Sequence, residues 1–368
     1  MIEIRKAKNN EMATVIRIAN ESFRPERESE FDFQKIMPKV YGEVKDTAPY
    51  HTFLLKEGEP VALTGNLPSY FSVKGTRYPY GIVGTVCTLP AHRNNGYFYT
   101  LMQVLDVEDR KEGRVFSLLS GLRKRYNTFG YEKCSTTYRF KISGRSLKNT
   151  VVPEDLTVTE LTEQEREASY ALYLKTQPFP VREEKDFVPC LKMSDAEIYA
   201  VKRQGSVVGY FNYAARKKGI FELSAEDLSL LPAILLLFMQ EKALTEVTVC
   251  INSLAFNLIE SLSSFAEERT LVDDIHIKVY DVLPFLQMLW EINRKNIPFS
   301  AKEECVCIDG KTYSFSHAEG VKEVSACGAP AFTRAQFLRM AIGDGNNELC
   351  RGSQFFPLFF GLNEADMF

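Results

Sequence analysis

The stretch from Val83 to Leu101, VGTVCTLPAHRNNGYFYTL, has the most informative pattern in the chain. Its first residues are small or apolar and predict a central strand, and a helix is predicted from about Gly96 to Lys111. The first N–H groups of a helix lack partners within the helix and lie at the positive end of its dipole, so the loop before it can bind a phosphate. Gly96 allows close approach of the backbone, and Arg93 can pair with a phosphate through two hydrogen bonds. On its own this spacing is also typical of an ordinary left-handed turn.

The segments around this stretch predict an α/β unit. Alternating residues predict a strand at Ile2–Arg5, and a period near 3.6 predicts a helix from Met12 to Phe23. Turn signals at EGEP and at Lys74-Gly75-Thr76 predict two hairpins. We predict the remaining elements of this part as hairpin strands at 52–56 with 61–66 and at 70–73 with 78–88, a strand at 115–120, a short helix at 123–128 and a strand at 136–142.

This order of elements resembles the GNAT superfamily of N-acetyltransferases over roughly residues 1–142. The signature Q/R-x-x-G-x-G/A of that family stands here as Arg93-Asn94-Asn95-Gly96-Tyr97-Phe98. Phe98 replaces the last small residue, so either its side chain points away from a bound pyrophosphate or cofactor binding is weakened. The resemblance implies acetyl-CoA as co-substrate, held by the backbone of Val86, Cys87 and Thr88 and by the loop from Arg93 to Phe98.

The rest of the chain extends the resemblance. From residue 151 the element order starts again, with a hairpin at 196–202 and 206–214, a helix entered through Ser224–Asp227, a strand at 246–252 and a helix at 253–264. A strand at 276–280, a helix at 284–294, three short strands at 304–308, 312–316 and 321–326, and a helix at 334–342 follow. Two GNAT halves and a terminal α+β domain resemble the enhanced intracellular survival (Eis) family.

That resemblance implies an α/β (α+β) fold class with three domains. We expect a catalytic GNAT domain at 1–150, a degenerate GNAT-like domain at 151–270, and a sterol-carrier-protein-like domain at 271–368 that supplies the C-terminus. The apolar run FFPLFF at 355–360 predicts that the end of the chain is docked rather than frayed.

Two further residues receive roles from the family pattern. Tyr126 lies in RYNTFGY at 125–131, which matches the family's Tyr-x-x-Phe-Gly-Tyr, and we assign it as the general acid that protonates the thiolate of CoA. The carboxylate of the terminal Phe368 is implied as the base, or as the group that holds the substrate ammonium. Without the resemblance, Tyr126 would be interpreted as a packing aromatic residue at a helix end.

The predicted function is therefore direct transfer of acetyl from acetyl-CoA to a primary amine, either a small molecule or a lysine side chain. A covalent route through Cys87 is the alternative mechanism, and a non-catalytic CoA-binding or lipid-binding protein is the alternative function. The family resemblance also implies a homo-oligomer.

Composition limits the other possibilities. With 45 basic and 48 acidic residues and a net charge of −3, the chain lacks the basic excess of a nucleic-acid-binding protein. Its longest apolar run, from Leu230 to Met239, is half of what a membrane span of about 20 residues needs, so no membrane is expected. Eight dispersed cysteines predict reduced thiols in the cytoplasm. Cys305 and Cys307 fit no zinc spacing, even with Cys327 and Cys350, and no metal is expected.

Overall fold

The computed structural model describes residues 1–24, 32–42, 46–176, 180–325, 328–342 and 353–367. Within these ranges, twelve strands form one large mixed sheet and four form a small one. The strands of the large sheet are β1 (Ile2–Lys6), β2 (His51–Lys56), β3 (Glu59–Val73), β4 (Thr76–Thr88), β5 (Phe116–Leu119), β6 (Glu132–Ser143), β7 (Leu156–Glu160), β8 (Glu197–Arg203), β9 (Ser206–Ala214), β10 (Gly219–Ala225), β11 (Glu246–Asn252) and β12 (Glu268–Val279). Those of the small sheet are β13 (Glu304–Ile308), β14 (Lys311–Ser316), β15 (Gly320–Val324) and β16 (Ala331–Phe332).

Helices cover both sheets. They are α1 (Met12–Phe23), α2 (Phe33–Ile36), α3 (Pro38–Tyr41), α4 (Tyr97–Lys111), α5 (Arg123–Tyr126), α6 (Arg166–Thr176), α7 (Glu184–Leu191), α8 (Leu231–Glu241), α9 (Phe256–Ser263), α10 (Val282–Asn293) and α11 (Arg334–Ala341). Across the described ranges, no helix is both long enough and apolar enough to span a lipid bilayer.

The first half begins as an antiparallel meander of β1, β2, β3 and β4. The two predicted hairpins are wrong in one respect, because the strands predicted at 61–66 and 70–73 form the single long strand β3. Pro68 lies inside β3 opposite Gly81 of β4 and does not interrupt the strand. Helix α1 matches its predicted bounds and buries Val15, Ile18 and Ala19 against this sheet.

The large sheet has the same strand arrangement when it is followed inward from either edge. From each edge, four antiparallel strands lead to a parallel pair, β4 with β5 on one side and β10 with β11 on the other. In the middle the final strands are exchanged, since β12 lies beside β5 and β6 lies beside β11. The expected boundary at residue 270 falls inside β12, so the strand that we placed in the third domain is part of the large sheet.

Two elements of the second half differ from the sequence prediction. Residues 219–225 form the strand β10, whereas we expected Ser224–Asp227 to lead directly into a helix. The helix begins later, at Leu231, and Pro232 occupies its first turn as expected. Helix α7 was not predicted; it contains Pro189 and buries Phe187.

The small sheet, α10 and α11 pack on the first half of the large sheet and share its main hydrophobic core. The segment 355–360 is docked there, as the sequence predicted, because Phe355, Leu358 and Phe360 are almost completely buried. The ring of Phe360 lies 5.5 Å from that of Phe71 and 5.8 Å from that of Phe116. The last part of the chain thus contacts β3, which precedes the loop at 93–96, and β5, which follows it.

Two buried histidines, His51 and His276, predict a loss of stability in mild acid. Burial lowers the pKa of each ring to about 4, whereas an unfolded chain has a pKa near 6.5. Between pH 6.5 and about 4, the histidines are therefore protonated in the unfolded state and neutral in the folded state, which favours unfolding. Between pH 7.5 and 5 we expect the free energy of unfolding to fall by about 1–2 kcal/mol for each histidine.

Urea unfolding at a series of pH values measures this effect. His276→Gln and His51→Gln should each flatten the pH dependence in this range, whatever their effect on stability at pH 7.5. If both variants keep the slope of the wild type, the histidines do not cause the acid sensitivity.

Candidate active site

The loop before α4 presents a helix N-terminus without a side-chain cap. Gly96 has a φ of +75° and Asn94 a φ of +65°, so the loop turns through two left-handed residues. The side-chain amide of Asn95 donates to the carbonyl oxygens of His92 and Arg93 at 3.0 and 3.1 Å, which closes the turn. A Cβ at residue 96 would meet no atom within 4 Å, so glycine is favoured there by its backbone conformation. The first amides of α4 are thus available to an anion.

Arg93 has a second role beside this loop. Its Nη2 donates to the carbonyl oxygen of Ser22 at 2.9 Å, near the end of α1. The expected pairing with a phosphate would use the other N–H groups of the guanidinium, which has five in all. Arg93 thus ties α1 to the loop.

Strands β4 and β5 separate next to this loop. They pair in parallel only from Tyr80 to Ile82 and from Phe116 to Leu118, and in the described chain no pairing between them extends further. Strand β4 continues to Thr88, so the side of Val86 and Thr88 that faces β5 offers backbone groups to a ligand. An extended ligand can pair with this edge like an additional strand.

A distortion in β4 lies at the point of separation. Thr85 has a φ of +48°, which is rare for a β-branched residue, and the register of β3 against β4 shifts beside it. The hydroxyl of Thr85 is hydrogen-bonded to that of Tyr41, which is buried in α3. Such strain persists where the surrounding structure determines it, often at functional sites.

A cavity of about 600 Å³ lies beside the loop and the separated end of β4. It is bounded by the end of α1, the end of β4, the loop and the start of α4, and by Arg125. All nine residues that the sequence predicted for cofactor binding line it: Val86, Cys87, Thr88, Arg93, Asn94, Asn95, Gly96, Tyr97 and Phe98.

The bulky Phe98 packs away from the loop. Its ring meets those of Tyr126 and Phe129 edge-on, with centroids 5.6 and 5.7 Å apart. The guanidinium of Arg125 lies over the ring of Phe98, 5.7 Å from its centroid. Phe98 thus lines the cavity at the loop and packs against Tyr126.

Tyr126 lines a second cavity of about 290 Å³, which shares Phe23, Val86 and Arg125 with the first. Its side chain is 8% exposed, and burial raises the pKa of the phenol. The ring of Tyr126 packs closely against Gly121, because a Cβ at residue 121 would lie 2.6 Å from Cε2 of Tyr126. The phenol therefore stays protonated at neutral pH in a fixed position.

Cys87 is not suited to nucleophilic chemistry. It follows Val86 on β4, so its side chain points to the opposite face of the sheet, toward α1. Burial raises the pKa of the thiol to about 12, and its Sγ lies 4.0 Å from the carbonyl oxygen of Ile18. A thiol in this state forms little thiolate at neutral pH, which argues against an acyl-cysteine intermediate.

A third cavity, of about 360 Å³, lies between the two halves. It shares Met37, Ser120 and Met367 with the cavity at Tyr126. Thr137 and Asn252, opposite each other on β6 and β11, form part of its floor. The three cavities are neighbours that share lining residues, and they form a series from the loop, past Tyr126, to the centre of the large sheet.

The end of the chain reaches this series of cavities. Phe368, to which the sequence assigned a role, lies outside the described residues. The residue before it, Met367, is buried and lines two of the cavities. The ammonium of Lys39 donates to the main-chain carbonyl of Asp366 at 2.8 Å. The described part of the tail is therefore held beside Tyr126.

Several residues at these cavities were not singled out from the sequence. Gly121 follows a strand and could have been suspected from that position, but Met37, Ser120 and Met367 carry no local signal. Among the described residues, no three histidine, cysteine, aspartate or glutamate side chains form a group that could hold a metal ion.

Comparisons with known proteins show which structures this chain resembles. No curated protein has a sequence that matches this chain significantly. A GCN5-related N-acetyltransferase from Anabaena variabilis has a similar structure, with a TM-score of 0.72 and 13% identity over 100% of both chains. Eis1 from Mycobacterium abscessus has a TM-score of 0.66 and 12% identity, over 98% of this chain and 99% of that one. A probable N-acyltransferase from Enterococcus faecalis has a TM-score of 0.68 and 14% identity, over 93% of this chain and 89% of its own. At these identities the likeness concerns the fold alone.

The sequence itself matches one family model, described as an acetyltransferase (GNAT) domain, over residues 3–134. The matched region contains the loop, the separated strands β4 and β5, and Tyr126. The chain therefore contains a GNAT acetyltransferase domain in its first part.

Proposed function

We propose that the protein is an acetyl-CoA-dependent N-acetyltransferase of Eis-like type that transfers acetyl directly to a primary amine. Tyr126 serves as the general acid, and the carboxylate of Phe368 serves as the base or as the anchor of the substrate ammonium. The observation that carries the proposal is the adjacency of the three cavities. The space at the uncapped α4 N-terminus adjoins the cavity of a buried phenol, which in turn adjoins a third cavity through shared residues.

Each part of acetyl-CoA finds suitable groups along this path. The pyrophosphate would accept hydrogen bonds from the loop amides at Gly96, where the helix dipole is favourable. The pantetheine would pair with the unpaired edge of β4 at Val86 and Thr88. The thioester would then lie between β4 and β5, near Tyr126.

The chemistry requires a proton for the departing sulfur. The neutral amine attacks the thioester carbonyl, the C–S bond breaks, and the thiolate takes the phenolic proton of Tyr126. A thiol in water has a pKa near 8.5, below that of a phenol near 10. Burial raises the pKa of the phenol, so Tyr126 stays protonated until the C–S bond breaks and then donates its proton to the departing sulfur.

The amine approaches from the opposite side, through the third cavity. An amine near pKa 10 is mostly protonated at neutral pH, so a proton has to leave before it attacks. A terminal carboxylate, with a pKa near 3.5, holds an ammonium well and removes its proton best through water. Met367 lines both the Tyr126 cavity and the third cavity, which supports placing the chain end between acid and acceptor.

The remaining parts of the chain receive supporting roles. We infer that residues 151–270 form a degenerate GNAT half, because its strand order repeats that of the first half up to a parallel pair. The segment after β10 carries Glu226 and Asp227, which would repel a pyrophosphate. The last part is proposed as a sterol-carrier-protein-like domain that delivers the C-terminus, and homo-oligomeric assembly stays part of the proposal.

Gly121→Ala should reduce acetyl transfer. The new Cβ would lie 2.6 Å from the ring of Tyr126, so the ring has to move. We expect kcat to fall about tenfold or more, since small displacements of a catalytic group have large effects on rate, whereas the affinity for acetyl-CoA changes little. Steady-state kinetics and calorimetric binding separate the two quantities. Unchanged kcat in a folded Gly121→Ala protein would contradict the placement of the phenol.

A thiol-release assay with acetyl-CoA and a panel of primary amines tests the proposed function. The panel should contain polyamines, aminoglycosides and lysine peptides, and wild type should be compared with Tyr126→Phe. Release of thiol by the wild type with at least one amine is the expected result. Tight binding of acetyl-CoA without release across the panel would support the non-catalytic alternative instead.

A further inference from the structure

The C-terminal tail is joined to the second half by a buried group of charges. Arg182 is 5% exposed, and its guanidinium donates to both oxygens of Glu222 at 3.1 and 2.9 Å. The same guanidinium donates to Oδ1 of Asp366 through Nε at 3.2 Å and through Nη2 at 2.7 Å. Tyr210 completes the group, because its hydroxyl donates to Glu222 at 2.8 Å. One cation therefore connects β10 with the last turn of the tail.

Docking of the tail alone does not explain this arrangement. Phe355, Leu358 and Phe360 already bury the preceding segment in the main core. A buried ion pair is an expensive way to add stability, and an apolar pair of similar size often serves as well. Its distinctive property is direction, because a planar guanidinium with several hydrogen bonds fixes the orientation of its partner. The contact of Arg182 with Asp366 is suited to fixing the direction in which the chain continues after residue 366.

The position of Asp366 makes that course relevant to the site. Met367 follows it and lines the cavity of Tyr126 as well as the third cavity. Lys39 holds the main-chain carbonyl of Asp366 from the first half, at 2.8 Å. A chain end two residues beyond an anchored residue is tethered within about 7 Å of it. The anchor at residue 366 thus limits where the terminal carboxylate can lie.

We propose that Arg182 is a positioning residue for acetyl transfer: through its ion pair with Asp366 it holds Met367 at the cavity of Tyr126 and thereby limits where the chain end can lie. This inference rests on the proposed function. It gives the second half, which carries no expected cofactor site, a direct part in the reaction of the first half.

Digestion with carboxypeptidase tests the anchoring without any need for activity. Asp366→Asn keeps the shape of the side chain and removes its charge, and Arg182→Lys removes the fork of hydrogen bonds. We expect the full-length variants to release their C-terminal residues about tenfold faster than the wild type, since local opening becomes easier when a buried pair is broken. Equal release rates in the wild type and Asp366→Asn would overturn the proposal.

Arg114→Lys is the matched control. Arg114 is also buried and pairs with Asp109 at 2.9 Å, but it follows the far end of α4, about 22 Å along that helix from the loop. This variant loses a comparable set of buried guanidinium hydrogen bonds and should keep the slow release of the wild type. Faster release from Arg114→Lys as well would show that any loss of stability loosens the tail, and would overturn the specific role of Arg182.

Kinetics test the consequence for catalysis. In Asp366→Asn we expect kcat to fall about tenfold or more while KM for acetyl-CoA stays within about twofold, because the cofactor site is untouched. The double variant Arg182→Lys/Asp366→Asn should be little worse than the worse single variant, which shows that the two residues act together. Full turnover in Asp366→Asn, with turnover lost in Tyr126→Phe, would overturn the positioning role and leave the proposed function intact. A wild type that releases no thiol with any amine would remove the proposed function, while the digestion still decides whether Arg182 anchors the tail.

Discussion

Tyr126→Phe is expected to lower kcat for acetyl transfer about a hundredfold, within the range typical of a lost general acid. The ring remains, so its contacts with Phe98 and with the wall of the cavity should persist. Affinity for acetyl-CoA should therefore stay within about twofold of the wild type. Thiol release under saturating cofactor measures the first quantity, and calorimetric titration with a non-hydrolysable analogue measures the second.

Tyr131→Phe provides the control for this comparison. Tyr131 belongs to the same hydrophobic cluster, its ring lies 6.3 Å from that of Tyr126, and its hydroxyl is hydrogen-bonded to Ser117 at 2.7 Å. Losing that bond should lower the thermal stability and leave kcat nearly unchanged. Equal rates in Tyr126→Phe and the wild type would remove the phenol from the mechanism.

Removing Phe368, or adding a residue after it, is expected to abolish measurable turnover while the protein stays folded. Each change moves the terminal carboxylate by about 3.5 Å along the chain, which exceeds the tolerance of a catalytic contact. The anchoring contacts at Lys39 and Arg182 involve residues before the change, so the rest of the tail should remain docked. Thiol release and thermal unfolding, measured on the same preparations, give both results.

Phe368→Leu separates the carboxylate from the side chain. This variant keeps the chain length and the terminal charge, so we expect it to retain most of the wild-type rate. If a chain extended by one glycine turned over as fast as the wild type, the terminal carboxylate would have no part in the reaction.

Local patterns predicted most of the first half, and tertiary contacts explain what they missed. The helix from Met12 to Phe23 and the loop at Gly96 could each be predicted from a short stretch of sequence. Strand β10 was missed because it contains Glu222, a charge that normally indicates an exposed position. The partner of Glu222 is Arg182, forty residues earlier, and no local pattern can indicate such a pair.

The candidate site divides in the same way. The nine residues predicted for cofactor binding are nearly contiguous, and the structure places them around one cavity, while their role in binding stays a prediction. Tyr126 came from a second motif, and its role as an acid stays a prediction. Met37 and Met367 come from distant parts of the chain and meet only because the tail crosses the sheet. Such contacts depend on the fold and could not be deduced from spacing.

The exchange of β6 and β12 has a consequence for any attempt to dissect the molecule. A fragment that ended near residue 150 would leave β5 without its neighbour β12, and it would expose on β6 the edge that β11 now covers. The complementary fragment would lack β6 in turn. Each half thus contributes one strand to the other half of the sheet. Insertions and fusions should therefore be placed at surface turns. A minimal fragment for activity has to include both exchanged strands, β6 and β12.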